Sequence, residues 1–357
     1  MARRTFDDPR GDRTPADAPN QLVRLRRASL LGSSFETLWC RLHLVVNWYL
    51  AALVGFGGGF LGRSALAQRL DSPSALSRAK RLCERSEIQS CYRVGLRYAR
   101  PTKGPRDLRE ASIWFEKACR LGHGRSCSNL AYQYRFGKGL KADLKRSLRY
   151  LERACELSFG AGCFHLANLY FEGKGVKRSY RRADDLLQKA CRLHFFLSCT
   201  NLGYLYETGH GVTPSAQKAA EYYRIACEGG EALACYNLGV FYEQGRGVAK
   251  DPKQGAHWHR KACLKGNEKG CYNLAVLYQH GVGVKKSDVS ATQFFARACV
   301  RNHAIACTQL ALALLEGRGI RKSAKKAAEM LEKACRLGHR PSCPSRASTK
   351  PPPRPTK

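Results

Sequence analysis

The chain has 357 residues, and 62 Lys and Arg against 28 Asp and Glu give it a formal net charge of +34 at pH 7. Its length would fit two globular domains, but 16 of its 17 cysteines recur in equally spaced pairs, which excludes two unrelated folds in favour of one repeat body. The charge would suit nucleic acid, yet we find no nucleic-acid-reading motif, so nucleic acid is not an expected partner.

The N-terminal region is predicted to be a leader followed by an apolar segment. Residues 1–41 are polar and basic, and we expect disorder there. Residues 42–61, LHLVVNWYLAALVGFGGGFL, match the ~20 apolar residues of a membrane span. Because Ala65-Leu66-Ala67 is an acceptable cleavage site, residues 42–67 are either a transmembrane anchor or a signal peptide. A buried hairpin with Cys40 beside it as a lone thiol is the remaining alternative.

From residue 74 to residue 343 the sequence repeats every 36 residues. Each repeat contributes a pair of cysteines eight residues apart: Cys83/Cys91, Cys119/Cys127, Cys155/Cys163, Cys191/Cys199, Cys227/Cys235, Cys263/Cys271, Cys299/Cys307 and Cys335/Cys343. A period this strict predicts a stacked solenoid, which more often holds a partner than encloses a catalytic pocket.

Each full repeat is predicted to contain two helices. Helix A follows the second cysteine, with an apolar residue three positions on, Gly or Ala four on, and Tyr or Leu seven on, which forms one helical face. In all but the first repeat it runs into Gly-x-Gly, as at Gly137 and Gly139, because glycine allows the backbone to stop a helix and reverse. No third glycine or preceding strand makes this a dinucleotide site, so no cofactor is expected.

Helix B follows the turn and carries Ala immediately before the first cysteine of the next pair. It is expected to end near a residue that tolerates the left-handed cap, namely Gly122, Gly230, Gly266, Asn302 or Gly338. The array begins with a half-repeat at residues 74–83, and its first full repeat has Pro101 where the others have glycine. Residues 344–357 are a Pro-rich tail that we expect to be flexible.

The string A-x-x-x-x-x-K-A-C, a short loop, C-x-N-L-A-x-x-Y and G-x-G-V resembles the Sel1-like branch of the tetratricopeptide superfamily. The paired cysteines make the chain similar to the Helicobacter cysteine-rich proteins in particular. The resemblance implies an all-α fold, a right-handed α-solenoid of antiparallel helix pairs, in which helix A lines the inner curve. It also implies penicillin binding and weak β-lactamase-like activity as one alternative, and an intermembrane-space assembly factor as another.

The paired cysteines are predicted to form eight disulfides. In each pair the first cysteine ends helix B and the second starts the next helix A, so the two lie side by side across a short reversal. Reduced cysteines in the core are the alternative. Metal binding is not expected, because residues four after a first cysteine vary from His123 and His303 to Phe159 and Glu231. Eight disulfides would place the repeats outside the cytoplasm, in a periplasmic, membrane-anchored or secreted protein.

Two surfaces are candidates for binding. An amide ladder two residues after the second cysteine, formed by Asn129, Asn201, Asn237 and Asn273, could hydrogen-bond a peptide or a sugar chain, or could instead satisfy the nearby loop backbone. A basic ridge follows the Gly-x-Gly turns, and it either only solvates those exposed turns or attracts an anionic envelope polymer or lipid surface. We define the ridge as Lys138, Lys141, Lys174, Lys177, Arg178, Arg246, Lys250, Lys285, Lys286, Arg318, Arg321 and Lys322.

No catalytic residue is predicted. Two Ser-x-x-Lys strings, Ser77 to Lys80 and Ser323 to Lys326, are candidates for a serine hydrolase, but the Ser-Asp-Asn and Lys-Thr-Gly elements that a β-lactamase requires are absent from the sequence. We therefore expect an exported scaffold that binds a protein, peptide or envelope ligand in its concave groove, with the hydrolase and the assembly factor as alternatives.

Overall fold

The computed structural model describes residue 70 and residues 72–101 and 105–343. Contacts divide the chain into two units, Met1–Gly59 and Phe60–Lys357, and the described residues all belong to the second. The predictions for the leader, for Cys40, for the apolar segment with its cleavage site and for the tail at 344–357 lie outside the described residues.

The described part is entirely helical. Its α-helices are α1 (Pro73–Glu84), α2 (Ile88–Ala99), α3 (Leu108–Arg120), α4 (Gly124–Phe136), α5 (Leu144–Glu156), α6 (Gly160–Glu172), α7 (Tyr180–Arg192), α8 (Phe196–Thr208), α9 (Ala216–Glu228), α10 (Ala232–Gln244), α11 (Pro252–Leu264), α12 (Glu268–His280), α13 (Asp288–Val300), α14 (Ala304–Glu316) and α15 (Ala324–Arg336), followed by a 3-10 helix at Arg340–Ser342. Even-numbered helices are the predicted A helices and odd-numbered helices are the B helices, so the expected solenoid of helix pairs is confirmed.

Helix boundaries follow from the sequence at both ends. Every B helix begins after a Ser or Asp whose side chain accepts a hydrogen bond from a backbone N–H of the first turn, which satisfies a group that otherwise lacks a partner. These N-caps are Ser72, Asp107, Asp143, Ser179, Ser215, Asp251, Ser287 and Ser323. The A helices from α4 to α14 end at the first glycine of Gly-x-Gly, which is left-handed in each case.

The second glycine of the turn makes the contact between repeats. Gly139 has φ +79°, and a Cβ there would lie 2.5 Å from the backbone of Leu108 at the start of the preceding B helix. Only glycine combines this backbone angle with such a close approach. The turn is therefore a packing element between repeats as well as a chain reversal.

All eight predicted disulfides are present. Their Cα–Cα distances run from 4.5 to 5.0 Å, within the range that a disulfide needs. The bonded pairs are Cys83–Cys91, Cys119–Cys127, Cys155–Cys163, Cys191–Cys199, Cys227–Cys235, Cys263–Cys271, Cys299–Cys307 and Cys335–Cys343. Each links the end of one B helix to the start of the following A helix, apart from the last, where Cys343 follows the 3-10 helix. This set of bonds indicates an oxidising environment outside the cytoplasm.

Fourteen of the sixteen bonded cysteines are buried in the core, and those of the terminal pair, Cys335 and Cys343, are partly exposed. The second cysteine of each of the first seven pairs has 0 % exposure, although the ladder residue two positions further on is partly exposed in every A helix from α4 to α14. These seven are Cys91, Cys127, Cys163, Cys199, Cys235, Cys271 and Cys307. Their pairing is as predicted, and their sulfur atoms lie in the packed interior between helices.

The A helices lie on the inner side of the array. Successive A helices contact one another directly, as in α4 with α6, α8 with α10 and α10 with α12. Consecutive B helices of the described part make fewer contacts with each other than these A-helix pairs do. A stack whose A helices are closer together than its B helices curves toward the A side. The inner surface is thus built from A helices, as the resemblance implies.

Candidate ligand groove

Two positions of helix A lie one turn apart and so share a face, which makes them the candidates for lining the inner surface. We call the residue two after the second cysteine the ladder position and the residue five after it the groove position. The ladder positions of α4 to α14 are Asn129, His165, Asn201, Asn237, Asn273 and Gln309, all partly exposed. The groove positions of the same helices are Tyr132, Asn168, Tyr204, Val240, Val276 and Leu312.

The structure divides the predicted amide ladder into two halves. Asn237 donates a hydrogen bond to the Tyr223 side chain, and Asn273 Nδ2 lies 3.4 Å from Nε2 of His259. These partners are buried side chains of B helices rather than the loop backbone. Within residues 105–343, Asn129 and Asn201 form no side-chain hydrogen bond to another described residue.

Tyr223 and His259 occupy equivalent positions one repeat apart, and each forms a polar link between a ladder asparagine and a glutamate. Both are fully buried, at a register where other repeats have Leu or Phe. Tyr223 donates a 2.7 Å hydrogen bond to Glu207, and His259 Nε2 lies 3.3 Å from Oε1 of Glu243. Burial and the nearby Glu207 raise the pKa of Tyr223, so its hydroxyl stays protonated and can donate. Neither link was predicted from the sequence, although a polar residue at a position that is apolar in the other repeats was a readable signal.

Exposed aromatic rings lie on the A helices of the other half. Tyr132 is 36 % exposed and Phe136 is 42 % exposed, with ring centroids 4.8 Å apart. Tyr204, at the groove position two repeats later, is 38 % exposed and stacks on His210 at 6.3 Å. Between these repeats, Asn168 is only 3 % exposed, and its Nδ2 has no acceptor among the described residues.

Two cations beside these rings share a single carboxylate. Arg135 and Glu172 form an ion pair at 3.7 Å, and Lys174 approaches the same carboxylate at 2.9 Å. Burial, with a smaller effect of Arg135, lowers the pKa of His165 to about 3, so this histidine is neutral at physiological pH. Near α4 and α6 the surface therefore combines rings and amides with a net positive charge.

Most of the basic ridge is free of ion pairs. Lys174, Arg246 and Arg318 pair with Glu172, Glu207 and Glu316 respectively. Its remaining members have no carboxylate partner within the described part of the chain and are exposed to solvent: Lys138, Lys141, Lys177, Arg178, Lys250, Lys285, Lys286, Arg321 and Lys322. Doublets such as Lys285 and Lys286 directly precede a B-helix N-cap.

The two Ser-x-x-Lys strings considered as hydrolase candidates have structural roles. Ser323 is the N-cap of α15, and its hydroxyl accepts a hydrogen bond from the backbone of Lys326. Ser77 lies within α1, and Lys80 Nζ lies over the rings of Tyr98 and Trp114, at 5.2 and 5.6 Å from their centroids.

Histidines near the disulfides cap and stack. His303 accepts a hydrogen bond from the backbone of Ala306 at the start of α14, and its ring stacks on Tyr272 at 4.6 Å. His123 lies 4.4 Å from the ring of Tyr92. In the described ranges no three or more His, Cys, Asp or Glu side chains come together in a way that could hold a metal ion. Across those same residues, no helix has both the length and the apolar character that a membrane crossing requires.

Comparison with protein families finds the Sel1 repeat at residues 88–123, 124–159, 160–195, 197–231, 232–267, 269–303 and 304–339. A protective antigen of uropathogenic Escherichia coli with an SLR fold is similar over 75 % of this chain, at 27 % identity and a TM-score of 0.69. That match covers 57 % of the antigen, so the chain spans little more than half of its length.

Two further solved structures are similar. A Sel1 repeat protein from Oxalobacter formigenes matches 64 % of this chain and 97 % of its own, at 23 % identity and a TM-score of 0.51. Cysteine-rich protein B of Helicobacter pylori matches 36 % of this chain and 92 % of its own, at 32 % identity and a TM-score of 0.31. No curated protein matches the chain.

Proposed function

The chain belongs to the Sel1 repeat family, and from that premise we propose that it is an exported scaffold that holds a protein or peptide partner in the groove formed by its A helices. Proteins of this family are protein-interaction scaffolds. The observation that carries the proposal is the set of helices α4, α6 and α8, where exposed rings lie beside amides that lack a hydrogen-bond partner among the described residues. Exposed aromatic residues beside polar groups are typical of binding surfaces.

Export is supported by the disulfides. Eight disulfides in one chain are maintained in oxidising compartments and would be reduced in the cytosol. The groove would therefore meet its partner in the periplasm, at the cell envelope or outside the cell.

Site-specific photo-crosslinking in the producing organism tests the groove. A photoreactive residue at Tyr204, on the inner face, should give a covalent adduct with a discrete polypeptide. The matched control is Ile113, which is 55 % exposed on the B helix α3. Equal adducts from both positions, or none from Tyr204, would count against a groove-binding scaffold.

We also infer that the basic ridge makes a second contact, with an anionic lipid surface or envelope polymer. Its exposed cations recur with the repeat and mostly lack carboxylate partners, so their charges can sum over several turns. Sedimentation with anionic vesicles should deplete the protein at low salt and release it at high salt, while neutral vesicles should not bind it. Competition by a soluble polyanionic glycan would point to the polymer.

No observation favours the hydrolase. The hydroxyl of Ser323 is engaged as a helix cap, and the ammonium group of Lys80 is engaged with aromatic rings. The assembly-factor alternative has no structural feature of its own in its favour, so the envelope scaffold is the function that we propose.

A further inference from the structure

We propose that a crevice between the B helices α7 and α9 binds a small organic carboxylate with an apolar body. The crevice holds a cavity of about 510 Å³, lined in part by Gln188, Arg192, Phe196, Tyr222 and Ile225. A cavity of this volume suits a small molecule. Because two B helices bound it, the site is separate from the groove of the A helices, and the inference goes beyond the proposed scaffold function.

An equivalent crevice two repeats earlier shows which group such donors bind. Between α3 and α5, the Glu116 carboxylate accepts a hydrogen bond from Arg120 at 2.6 Å and another from the Tyr150 hydroxyl at 3.3 Å. Both bonds go to the same oxygen, Oε1. Hydrogen bonds to a charged group are stronger than those between neutral groups. An arginine and a phenol therefore already hold a carboxylate within this chain.

The crevice between α7 and α9 keeps both donors but lacks the carboxylate. Two repeat periods of 36 residues after Glu116, Arg120 and Tyr150 come Gln188, Arg192 and Tyr222. Gln188 carries no charge, and its amide donates to Asp184 at 2.8 Å. Within residues 105–343, Arg192 forms no ion pair, and the Tyr222 hydroxyl has no hydrogen bond to another described residue. A carboxylate from a ligand would reproduce the arrangement seen around Glu116.

The two donors are oriented, protonated and reachable. The Tyr222 ring stacks on Tyr206, with centroids 5.6 Å apart and 15° between the planes, which holds its direction. Burial raises the pKa of Tyr222, so the hydroxyl keeps its proton, while the positive charge of nearby Arg192 acts in the opposite sense. Tyr222 is partly exposed and Arg192 is exposed, so a ligand can meet both from solvent.

Three further charged groups lie near these donors. Burial raises the pKa of Asp184 and Lys218 lowers it, so these two opposite charges are close together and offset each other. Glu221 lines the cavity, is exposed, and forms no ion pair in the part of the chain that the structure describes. It is therefore the internal carboxylate that could compete with a ligand for Arg192.

The apolar part of the lining is particular to this crevice. Phe196 and Ile225 both border the cavity and are partly buried. In the crevice between α3 and α5, the position of Ile225 is occupied by Arg153, which pairs with Glu156 at 3.3 Å. A ligand that combines a carboxylate with a short apolar body would use both the free donors and this apolar surface.

The test is calorimetric titration of the full oxidised chain with 3-phenylpropionate. Its primary amide keeps the apolar body without the charge, and acetate keeps the charge without the body. We expect one molecule of 3-phenylpropionate to bind per chain, with the amide and acetate each weaker by about fivefold or more.

Substitution of the donors should weaken binding without unfolding the chain. Arg192→Gln and Tyr222→Phe should each reduce the affinity for 3-phenylpropionate about threefold or more at an unchanged melting temperature, since neither side chain loses a partner among the described residues. Arg120→Gln is the matched control, because Glu116 already occupies that crevice, and it should leave the affinity unchanged. Equal losses from Arg120→Gln and Arg192→Gln would indicate general attraction to surface charge and overturn the site.

Two carboxylate variants test the same idea in opposite directions. Gln188→Glu restores the carboxylate of the closed crevice, so it should occupy Arg192 and Tyr222 and weaken binding about fivefold or more. Glu221→Gln removes the internal competitor and should leave the affinity equal or higher. Binding that survives Gln188→Glu, or that weakens with Glu221→Gln, would overturn the proposal. If Gln188→Glu fails to fold beside Asp184, the Arg192 and Glu221 variants still decide.

The comparison ligands complete the test. Equal binding of the amide would reduce the site to an apolar cavity, and equal binding of acetate would reduce it to an adventitious ion only; either result overturns the assignment. Absence of binding by 3-phenylpropionate overturns it as well. None of these outcomes alters the crosslinking expected at Tyr204, so the scaffold function is tested independently.

Discussion

The Tyr223 hydroxyl donates a 2.7 Å hydrogen bond to Oε2 of Glu207, joining α9 to α8 at a register where other repeats bury Leu or Phe. The other carboxylate oxygen accepts from Arg246 at 2.9 Å, and Arg246 lies in the turn of the following repeat. A single buried tyrosine thus connects a ladder amide, a carboxylate and a turn across two repeats.

Tyr223→Phe should lower the free energy of unfolding by about 1–3 kcal/mol, because Glu207 and Asn237 each lose a partner at a buried site. The ring itself should pack normally, since Phe115 and Phe295 occupy this register elsewhere. Urea unfolding measures the difference. Tyr222→Phe is the control, with an expected change of less than about 0.5 kcal/mol; equal effects would contradict a specific role for the Tyr223 hydroxyl.

Equivalent positions just after two B helices adopt a left-handed backbone conformation, one with serine and one with glycine. Exchanging the two residue types gives a pair of substitutions with opposite expected effects. Ser158 has φ +56°, whereas Gly122, in the equivalent position, has φ +99° and space around its Cα. Ser158→Gly should stabilise the protein by about 1 kcal/mol, and Gly122→Ser should destabilise it by a similar amount, because only glycine takes this region without a steric cost. Thermal melts of both variants give the signs, and shifts in the same direction would refute the backbone explanation.

Removing one disulfide should cost about 2.5 kcal/mol in the chain-entropy model for a loop this short. We would replace Cys227 and Cys235 together by Ala in the middle of the array, and Cys335 and Cys343 together at its end. Because each repeat contacts only its neighbours, the central change should broaden or split the unfolding transition, whereas the terminal change should mainly fray the last helix pair. Identical, sharp transitions for both variants would indicate that the array unfolds as one unit.

His165 should make stability depend on pH. Its pKa is lowered by burial to about 3 in the folded chain, below the unfolded value of 6.5, so the unfolded state binds the extra proton first. Stability therefore rises with pH across this window, and about 2 kcal/mol should be lost between pH 6.5 and 5. His165→Asn places the common ladder residue there, and its unfolding free energy should lack that part of the slope. An unchanged slope would mean that His165 is protonated at little cost.

Ser323→Ala should cost about 1 kcal/mol of stability, because it removes the N-cap of α15. Nitrocefin turnover by the pure protein should be at background before and after this change and after Ser77→Ala. Turnover that disappears in either variant would revive the hydrolase alternative.

The fold could be predicted because the same sequence signals recur in every repeat. The spacing of the cysteines, the apolar face of helix A and the paired glycines all predicted the helix pairs that the structure contains, because each is a local requirement restated in every repeat. The disulfides could be predicted for the same reason: a short reversal between antiparallel helices brings Cys119 and Cys127 together whatever surrounds them. How deeply the sulfur atoms are buried could not be predicted, because the packing of both flanking helices decides it.

The candidate site was less predictable, because its residues depart from the repeat. Asn129, Asn201, Asn237 and Asn273 are equivalent in sequence, yet Asn237 and Asn273 are engaged by Tyr223 and His259. Those partners lie fourteen residues upstream, on the preceding B helix, at a position that holds an apolar residue in the other repeats. The exposure of Tyr132 and Tyr204, and the burial of Asn168 at the same position between them, depend on contacts between repeats that no local pattern records.

The sequence by itself determined the helix pairs, their caps, their turns and their disulfides, because these depend on backbone conformation and short-range spacing within 36 residues. Only the tertiary structure decided which amides remain available in the groove and which ridge cations lack a carboxylate. Those properties depend on which side chains of neighbouring repeats come within hydrogen-bonding distance, and stacking alone brings them there.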